Sequence, residues 1–294
     1  MIWASGWKLA AAVSNAGGLG LIGAGSMYPE VLREHIRKCK AATDKPFGVN
    51  VPLLYPDIDQ HIAIIIEEEV PIVFTSAGNP KTWTARLKEA GIVVAHVVSS
   101  AKFARKCQDA GVDAVVAEGF EAGGHNGREE TTTLCLIPAV REAITIPLIA
   151  AGGIATGRAM YATMALGAEG VQVGSRFVCT PEASSHTAFK EAIVAAGEGD
   201  TILSLKMLTP VRLIKNEFTK QVQAAEERGA TKEEMEQLLG RARAKRGMYE
   251  GDTAEGELEI GQVSAIIKEI KPAAAVVAEL WHEFLQTAEN PFAY

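Results

Sequence analysis

The chain has 294 residues, 48% hydrophobic and 22% charged, a composition that suits a soluble globular protein with a large core. Its net charge of -7 argues against a nucleic-acid binder, and no apolar run approaches the roughly 18 residues needed to cross a membrane. Cys39, Cys107, Cys135 and Cys179 lie far apart with no CxxC, so they read as small apolar fillers in a reducing cytoplasm and not as a zinc or redox site.

The first residues, MIWASGWKLAAAV, lack the basic n-region and cleavage pattern of a signal peptide. The helical stretch AAAVSNAGG precedes the first apolar run, so a strand is expected before it. Met1-Ile2-Trp3 is read as the C-terminal end of that truncated strand. From residue 19 to residue 177, short β-branched runs alternate with amphipathic helices. The strand candidates are LGLIGAG (19–25), PFGVNV (46–51), PIVFTSA (71–77), IVVAHVV (92–98), DAVVAEG (113–119), PLIAAGG (147–153) and GVQVGSRF (170–177). Near-continuous apolar strands separated by helices mean a parallel sheet covered by helices. The repeated phrases NAGGLG, EAGIVV, DAGVDA and LGAEGV put a glycine C-cap directly before the next strand. Such short, even units favour a TIM-type (β/α)8 barrel with its first strand truncated over an open doubly wound sheet. GLGLIG (18–23) fits GxGxxG, but a helix precedes it and it is itself the strand. Tight turns and strand packing account for it better than a dinucleotide fingerprint.

After residue 200 the rhythm changes. TILSLKMLTPVRLIKNEF has mixed periodicity, and the polar stretch that follows holds two helical segments. Residues 201–260 are read as a cap or substrate subdomain inserted in a barrel made of 1–200 and 261–294. RARAKR (241–246) is either a solvated helix face or a contact for phosphates or an acidic carrier. Pro272 is expected to break QVSAIIKEIKPAAAVVAELWHEFLQ into two helices.

In this barrel class the active site lies at the C-terminal ends of the strands. Those ends gather Met1, Gly23, Asn50, Glu118, His125, Gly152, Gly153, Gln172, Gly174 and Ser175. AAGGIATG and QVGS, at the ends of the last two strands, expose backbone amides, and the first also opens a helix, so they suit a phosphate. The small residues of the mouth leave room for a flat ring, whose polar edge Asn50, Glu118 and Gln172 can bond. In EAGGHNG, His125 follows a strand end and two glycines. His35, His61, His186 and His282 lie on helical stretches and read as surface or packing residues, while His96 is ambiguous. Glu121 is read as a loop carboxylate in preference to a partner of His125. The four tryptophans are read as core or interface residues.

These motifs resemble the nitronate monooxygenase (2-nitropropane dioxygenase-like) superfamily of FMN barrels, and most closely its enoyl-acyl-carrier-protein reductase II branch. The resemblance rests on AVSNAGGLGLIGAG, KPFGVN, TSAGNP, AEGFEAGGHNG, IAAGGIATG, VQVGSRF and VRLIKN. The family's first strand ends in a Gln/Ser-Gly-Gly-Met-like segment, of which only Met1 is present. The resemblance implies that Met1, Asn50, Glu118 and Gly123 lie along the flavin ring and ribityl chain. It places Gly152, Gly153, Gln172, Gly174 and Ser175 at the phosphate end and makes His125 the active-site histidine. It further implies reduction of an enoyl thioester on acyl-carrier protein with NAD(P)H, or, alternatively, oxidation of alkyl nitronates with dioxygen. No metal is expected. A homodimer is compatible with this reading but not specified by the sequence.

Overall fold

Each of the seven apolar runs contributes a strand to the computed structural model, which describes residues 1–292. In chain order the strands are β1 (Gly20–Gly23), β2 (Phe47–Pro52), β3 (Ile72–Ser76), β4 (Val93–Val98), β5 (Ala114–Glu118), a two-residue β6 (Gly124–His125), β7 (Leu148–Ala151), β8 (Gly170–Gln172), β9 (Thr201–Ser204) and β10 (Val211–Ile214). β1, β2, β3, β4, β5, β7 and β8 pair in that order, all parallel. The intervening helices are α1 (Trp7–Asn15), α2 (Pro29–Ala42), α3 (Ile58–Glu67), α4 (Thr84–Glu89), α5 (Ala101–Asp109), α6 (Thr133–Ala143) and α7 (Gly157–Ala165). Side chains alternate across a strand, so every second residue meets these helices. Ile22, Val49, Val73, Val94, Val115 and Leu148 pack there against Leu32, Ile65, Leu87 and Ile137. The other set, including Phe74, Ala95, Val116 and Ala151, fills the inner face.

This is a TIM-type barrel wall in which, among the described residues, no strand pairs with the outer edge of β1 or of β8. Met1-Ile2-Trp3 does not supply the end of a strand there. Residues 2–4 form a turn, in which the Ser5 N–H donates to the Met1 carbonyl (3.1 Å). The turn borders β1 because the Gly23 N–H donates to the Ser5 carbonyl (2.9 Å) and the Ser5 hydroxyl to the Leu21 carbonyl (2.5 Å). Gly17, Gly91, Gly111 and Gly167 close helices with positive φ, as the repeated phrase predicts. At Gly20 a Cβ would lie 1.8 Å from the Ala10 carbonyl oxygen, so α1 presses directly on β1 and the glycine of GLGLIG serves packing.

Two boundaries differ from the sequence reading. GVQVGSRF is not one strand: β8 ends at Gln172, and α8 (Ser175–Val178) begins just after Gly174. Pro272 does not split two helices. Its missing N–H is harmless at a helix start, and it forms the N-cap of α12 (Ala273–Glu289), preceded only by a short 3₁₀ turn at Gln262–Ile266. Between them lie α9 (Thr187–Ala195), the antiparallel pair β9–β10, α10 (Glu217–Glu227) and α11 (Lys232–Leu239). β10 also takes β6 on its other edge, so the loop carrying EAGGHNG belongs to a three-stranded sheet. Leu205, Val211, Leu213, Phe218, Val222 and Met235 form a local core under this region. A second cluster joins Met248, Leu258 and Ile260 to Ala4, Phe189 and Ile193. The final residues of the 261–294 span, 293–294, lie outside the described residues.

Candidate active site

Strand alternation decides which strand-end residues face inward. Asn50, Glu118 and Gln172 share the parity of Phe74 and Val116, so all three project toward the inner face at the C-terminal ends of β2, β5 and β8. His96 has the opposite parity. It is buried beside Thr75, whose hydroxyl lies 2.7 Å from its Nδ1, and it faces the helix layer away from the mouth. Gln172 Oε1 is buried and has no hydrogen-bond partner among the described residues. Nothing lies within 4 Å of a Cβ built on Gly170, and only the Met1 side chain (3.8 Å) approaches one on Gly174. Met1 therefore lies between the β8 end and Gly23, whose would-be Cβ is 2.8 Å from the Met1 carbonyl oxygen. Burial pushes the Glu118 carboxyl up to about 7, and the nearby N-terminal amine opposes that shift.

The corner between β7 and β8 has tight turns of two kinds. Gly152 and Gly153 have φ of 87° and 72°, and a Cβ on Gly152 would sit 2.7 Å from the Gly119 carbonyl oxygen. Ser175 Oγ accepts the Gly261 N–H (3.0 Å), which leaves the hydroxyl proton for another acceptor. The helix start expected to hold an anion already has one from within the chain. The Gly157 N–H of α7 donates to Glu283 Oε2 (2.7 Å), and α12 packs so closely that a Gly157 Cβ would be 2.3 Å from the Leu280 carbonyl oxygen. An incoming phosphate is left with the Gly152–Gly153 turn and the Gly174–Ser175 turn. Glu121 accepts the Thr133 N–H at the start of α6 (3.0 and 3.1 Å), so it is a capping carboxylate and not a partner of His125.

His125 reaches the mouth by a different route. β6 pairs His125 with Val211 and Gly124 with Arg212, so β10 sets its position. The two glycines before it are required by the chain's own packing. A Cβ on Gly123 would meet the Ile260 carbonyl carbon at 2.4 Å, and one on Gly124 (φ 78°) would meet Glu259 Oε2 at 2.7 Å. Arg212 braces the same loop from beneath. Its Nε and Nη2 donate to the Phe120 carbonyl (3.1 and 3.0 Å), and its guanidinium lies 4.5 Å over the Phe120 ring. Arg212, Glu259 and Tyr55 all escaped the strand-end inventory. Glu259 interacts electrostatically with His125 and with the N-terminal amine, and Tyr55 with Glu259. The acid–apolar alternation of GELEIG was the available signal for Glu259, since Leu258 and Ile260 are both buried beneath it.

The basic tract 241–246 is largely spent within the chain. Arg243 donates to the carbonyls of Leu238, Leu239 and Glu255, and Lys245 and Arg246 pair with Glu250 and Asp252. The histidines outside the mouth have ordinary duties. His35 Nδ1 accepts the Trp7 N–H, His61 Nε2 contacts the Met27 carbonyl and His186 caps α9. Cys39, Cys107 and Cys179 are buried fillers, whereas Cys135 is exposed. No described helix is long and apolar enough to cross a membrane.

The family model for nitronate monooxygenase matches residues 1–60 and 53–283. The chain belongs to the nitronate monooxygenase family. It is similar over 99% of its length to FabK from Thermotoga maritima, with 44% identity, a TM-score of 0.94 and 92% of that chain covered. A Rhodococcus jostii protein named (3aS,4S,5R,7aS)-5-hydroxy-7a-methyl-1-oxo-octahydro-1H-indene-4-carboxyl-CoA dehydrogenase is 40% identical over 207 residues, which is 70% of this chain and 58% of that protein. A probable nitronate monooxygenase of Staphylococcus saprophyticus is 36% identical over 258 residues, 72% of each chain. Nitronate monooxygenase-family and FabK proteins are FMN-dependent oxidoreductases, and this chain is a flavin-dependent oxidoreductase of that family.

Proposed function

We propose that the protein is an FMN-dependent reductase of trans-2-enoyl thioesters carried on acyl-carrier protein, with NAD(P)H as co-substrate. The observation that carries this reading is the likeness to Thermotoga FabK, an enoyl-acyl-carrier-protein reductase of type II. It spans 99% of the chain at 44% identity, against 72% at 36% for the Staphylococcus relative. The name of the Rhodococcus relative, a carboxyl-CoA dehydrogenase, also involves a thioester.

The residues fit an FMN. Gln172 Oε1 is a buried acceptor that lacks a donor, and an N–H on the polar edge of a flavin ring supplies one. The open space at Gly174, just past the C-terminal end of β8, is what the phosphate arm needs. Asn50, Glu118 and Gln172 would hold the ring edge from the inner face, with Met1 beside it. Gly152, Gly153, Gly174 and Ser175 would hold the phosphate, the last through its free hydroxyl proton. Gly123 serves the flavin indirectly, by letting residues 260–261 close behind the His125 loop. Bound FMN supplies hydride-transfer chemistry at the mouth.

His125, exposed at the rim and held by β10, would stabilise the enolate or deliver the proton to the α-carbon. The runner-up, oxidation of alkyl nitronates with dioxygen, is supported by the family itself and by the Staphylococcus relative. One comparison separates them: NAD(P)H oxidation with crotonyl thioester on acyl-carrier protein or on coenzyme A, against oxygen uptake with an alkyl nitronate. Thioester-dependent NAD(P)H oxidation is expected; nitronate-dependent oxygen uptake alone would replace the reading. Within it, His125→Ala should retain FMN and its reduction by NAD(P)H, while stopped-flow transfer to the enoyl thioester falls roughly 10²–10⁴-fold. Equal loss in both half-reactions would make His125 a structural residue.

A further inference from the structure

Glu259 enters the mouth from outside the strand ends, and the ladder of the small sheet fixes where. β6 places His125 opposite Val211 and Gly124 opposite Arg212, and Glu259 takes the next position, bridged to Leu213. The other edge of β10 is filled by β9 through Ile214, so β6 and Glu259 share one edge. His125 and Glu259 therefore stand two ladder steps apart, and side chains two steps apart project from the same face of a sheet. The residue between them is a glycine, and Glu259 Oε2 occupies the space beside it, 2.7 Å from where a Cβ would be.

We propose that Glu259 is a positioning residue for His125, paired with it so that the imidazole regains its proton from the Glu259 carboxyl through a bridging water. The proposal rests on the enoyl-thioester reading of the site. Hydride added at the β-carbon leaves an enolate. Its electron pair at the α-carbon takes the proton of the imidazolium, which becomes neutral imidazole. The Glu259 O–H then gives its proton to the imidazole through the water, and the carboxylate is reprotonated by an acid proton of the solvent, so that one solvent proton is consumed per turnover. Burial holds the Glu259 carboxyl above the usual carboxylate range, which favours its protonated form, while His125 pulls it down. The other titratable groups facing it are the Tyr55 phenol, Glu257 and the N-terminal amine.

The test is the pH titration of the His125 ring signal by NMR in histidine-labelled, flavin-bound protein, assigned by its loss in His125→Ala. In Glu259→Gln, which keeps the side-chain volume, the midpoint should move to lower pH. Glu259→Asp should bring it part of the way back. A midpoint unmoved in Glu259→Gln, with Glu259→Asp also unmoved, overturns the pairing. Turnover is a separate arm: Glu259→Gln should slow the enoyl step roughly 10-fold or more with little change in KM. Full turnover across pH in that variant overturns the proton supply. A moved midpoint in a protein that reduces no enoyl thioester would leave the pair standing and remove the reductase reading.

Discussion

Glu118 is an acid placed where its charge is costly. Burial raises it from 4.5 to about 7, so the folded chain holds a proton that the unfolded chain has already released. Its contribution to stability therefore falls as pH rises from about 4.5 to about 7, by at most about 3 kcal/mol. Glu118→Gln removes that loss, so its advantage over the parent in denaturant unfolding of flavin-free protein should be larger at pH 8 than at pH 5. An equal difference at both values would mean the carboxyl is not desolvated. His96 works from the other end. Burial lowers it from 6.5 to about 4, so stability drops as pH falls through that window. Gly174 offers a clean probe of the phosphate corner. Its φ is -106°, and only Met1 comes near a would-be Cβ, so Gly174→Val should leave the melting temperature almost unchanged while the purified protein loses its flavin absorbance. Gly152 cannot serve, because any side chain there strikes the Gly119 backbone. Unaltered flavin content in Gly174→Val would move the phosphate elsewhere.

Among the elements, those with a clean repeat were readable and those without were not. The seven parallel strands announce themselves as apolar runs, and counting to their ends found Asn50, Glu118 and Gln172, all of which face inward. β10 is buried at every position, so VRLIKN shows no alternation, and β6 has only two residues, too short for any period. The sheet that carries His125 was therefore invisible, and with it the reason for Arg212 and Glu259. GVQVGSRF kept an alternating pattern past the point where Gly174 turns the chain into a helix. Arg212 gives this sheet a measurable test. Its fork holds the Phe120 carbonyl with two donors, a geometry that lysine cannot copy. Arg212→Lys should cost about 1–3 kcal/mol in denaturant unfolding and slow turnover, with flavin retained. Unchanged stability would show that the EAGGHNG loop is held by β6–β10 pairing alone.

For the molecule as a whole, the parallel sheet has a protected centre and two different margins. The N-terminal turn hydrogen-bonds along β1, whereas no described strand covers the outer edge of β8, which carries Gln172. Amide exchange by mass spectrometry should find residues 170–172 opening well before the β4 segment, with added FMN slowing exchange at β8 and the Gly152–Gly153 turn most. Uniform exchange across the sheet would count against this gradient. A different consequence follows from the way the mouth is divided. The groups proposed to hold the flavin hang from the parallel sheet, while His125 and Glu259 hang from the antiparallel one. In descent, the two can change at separate rates. A duplicated gene that drifts in the hairpin 201–214 or in the return segment 257–261 alters which molecule is reduced or oxidised, yet its product remains a yellow protein from the first generation.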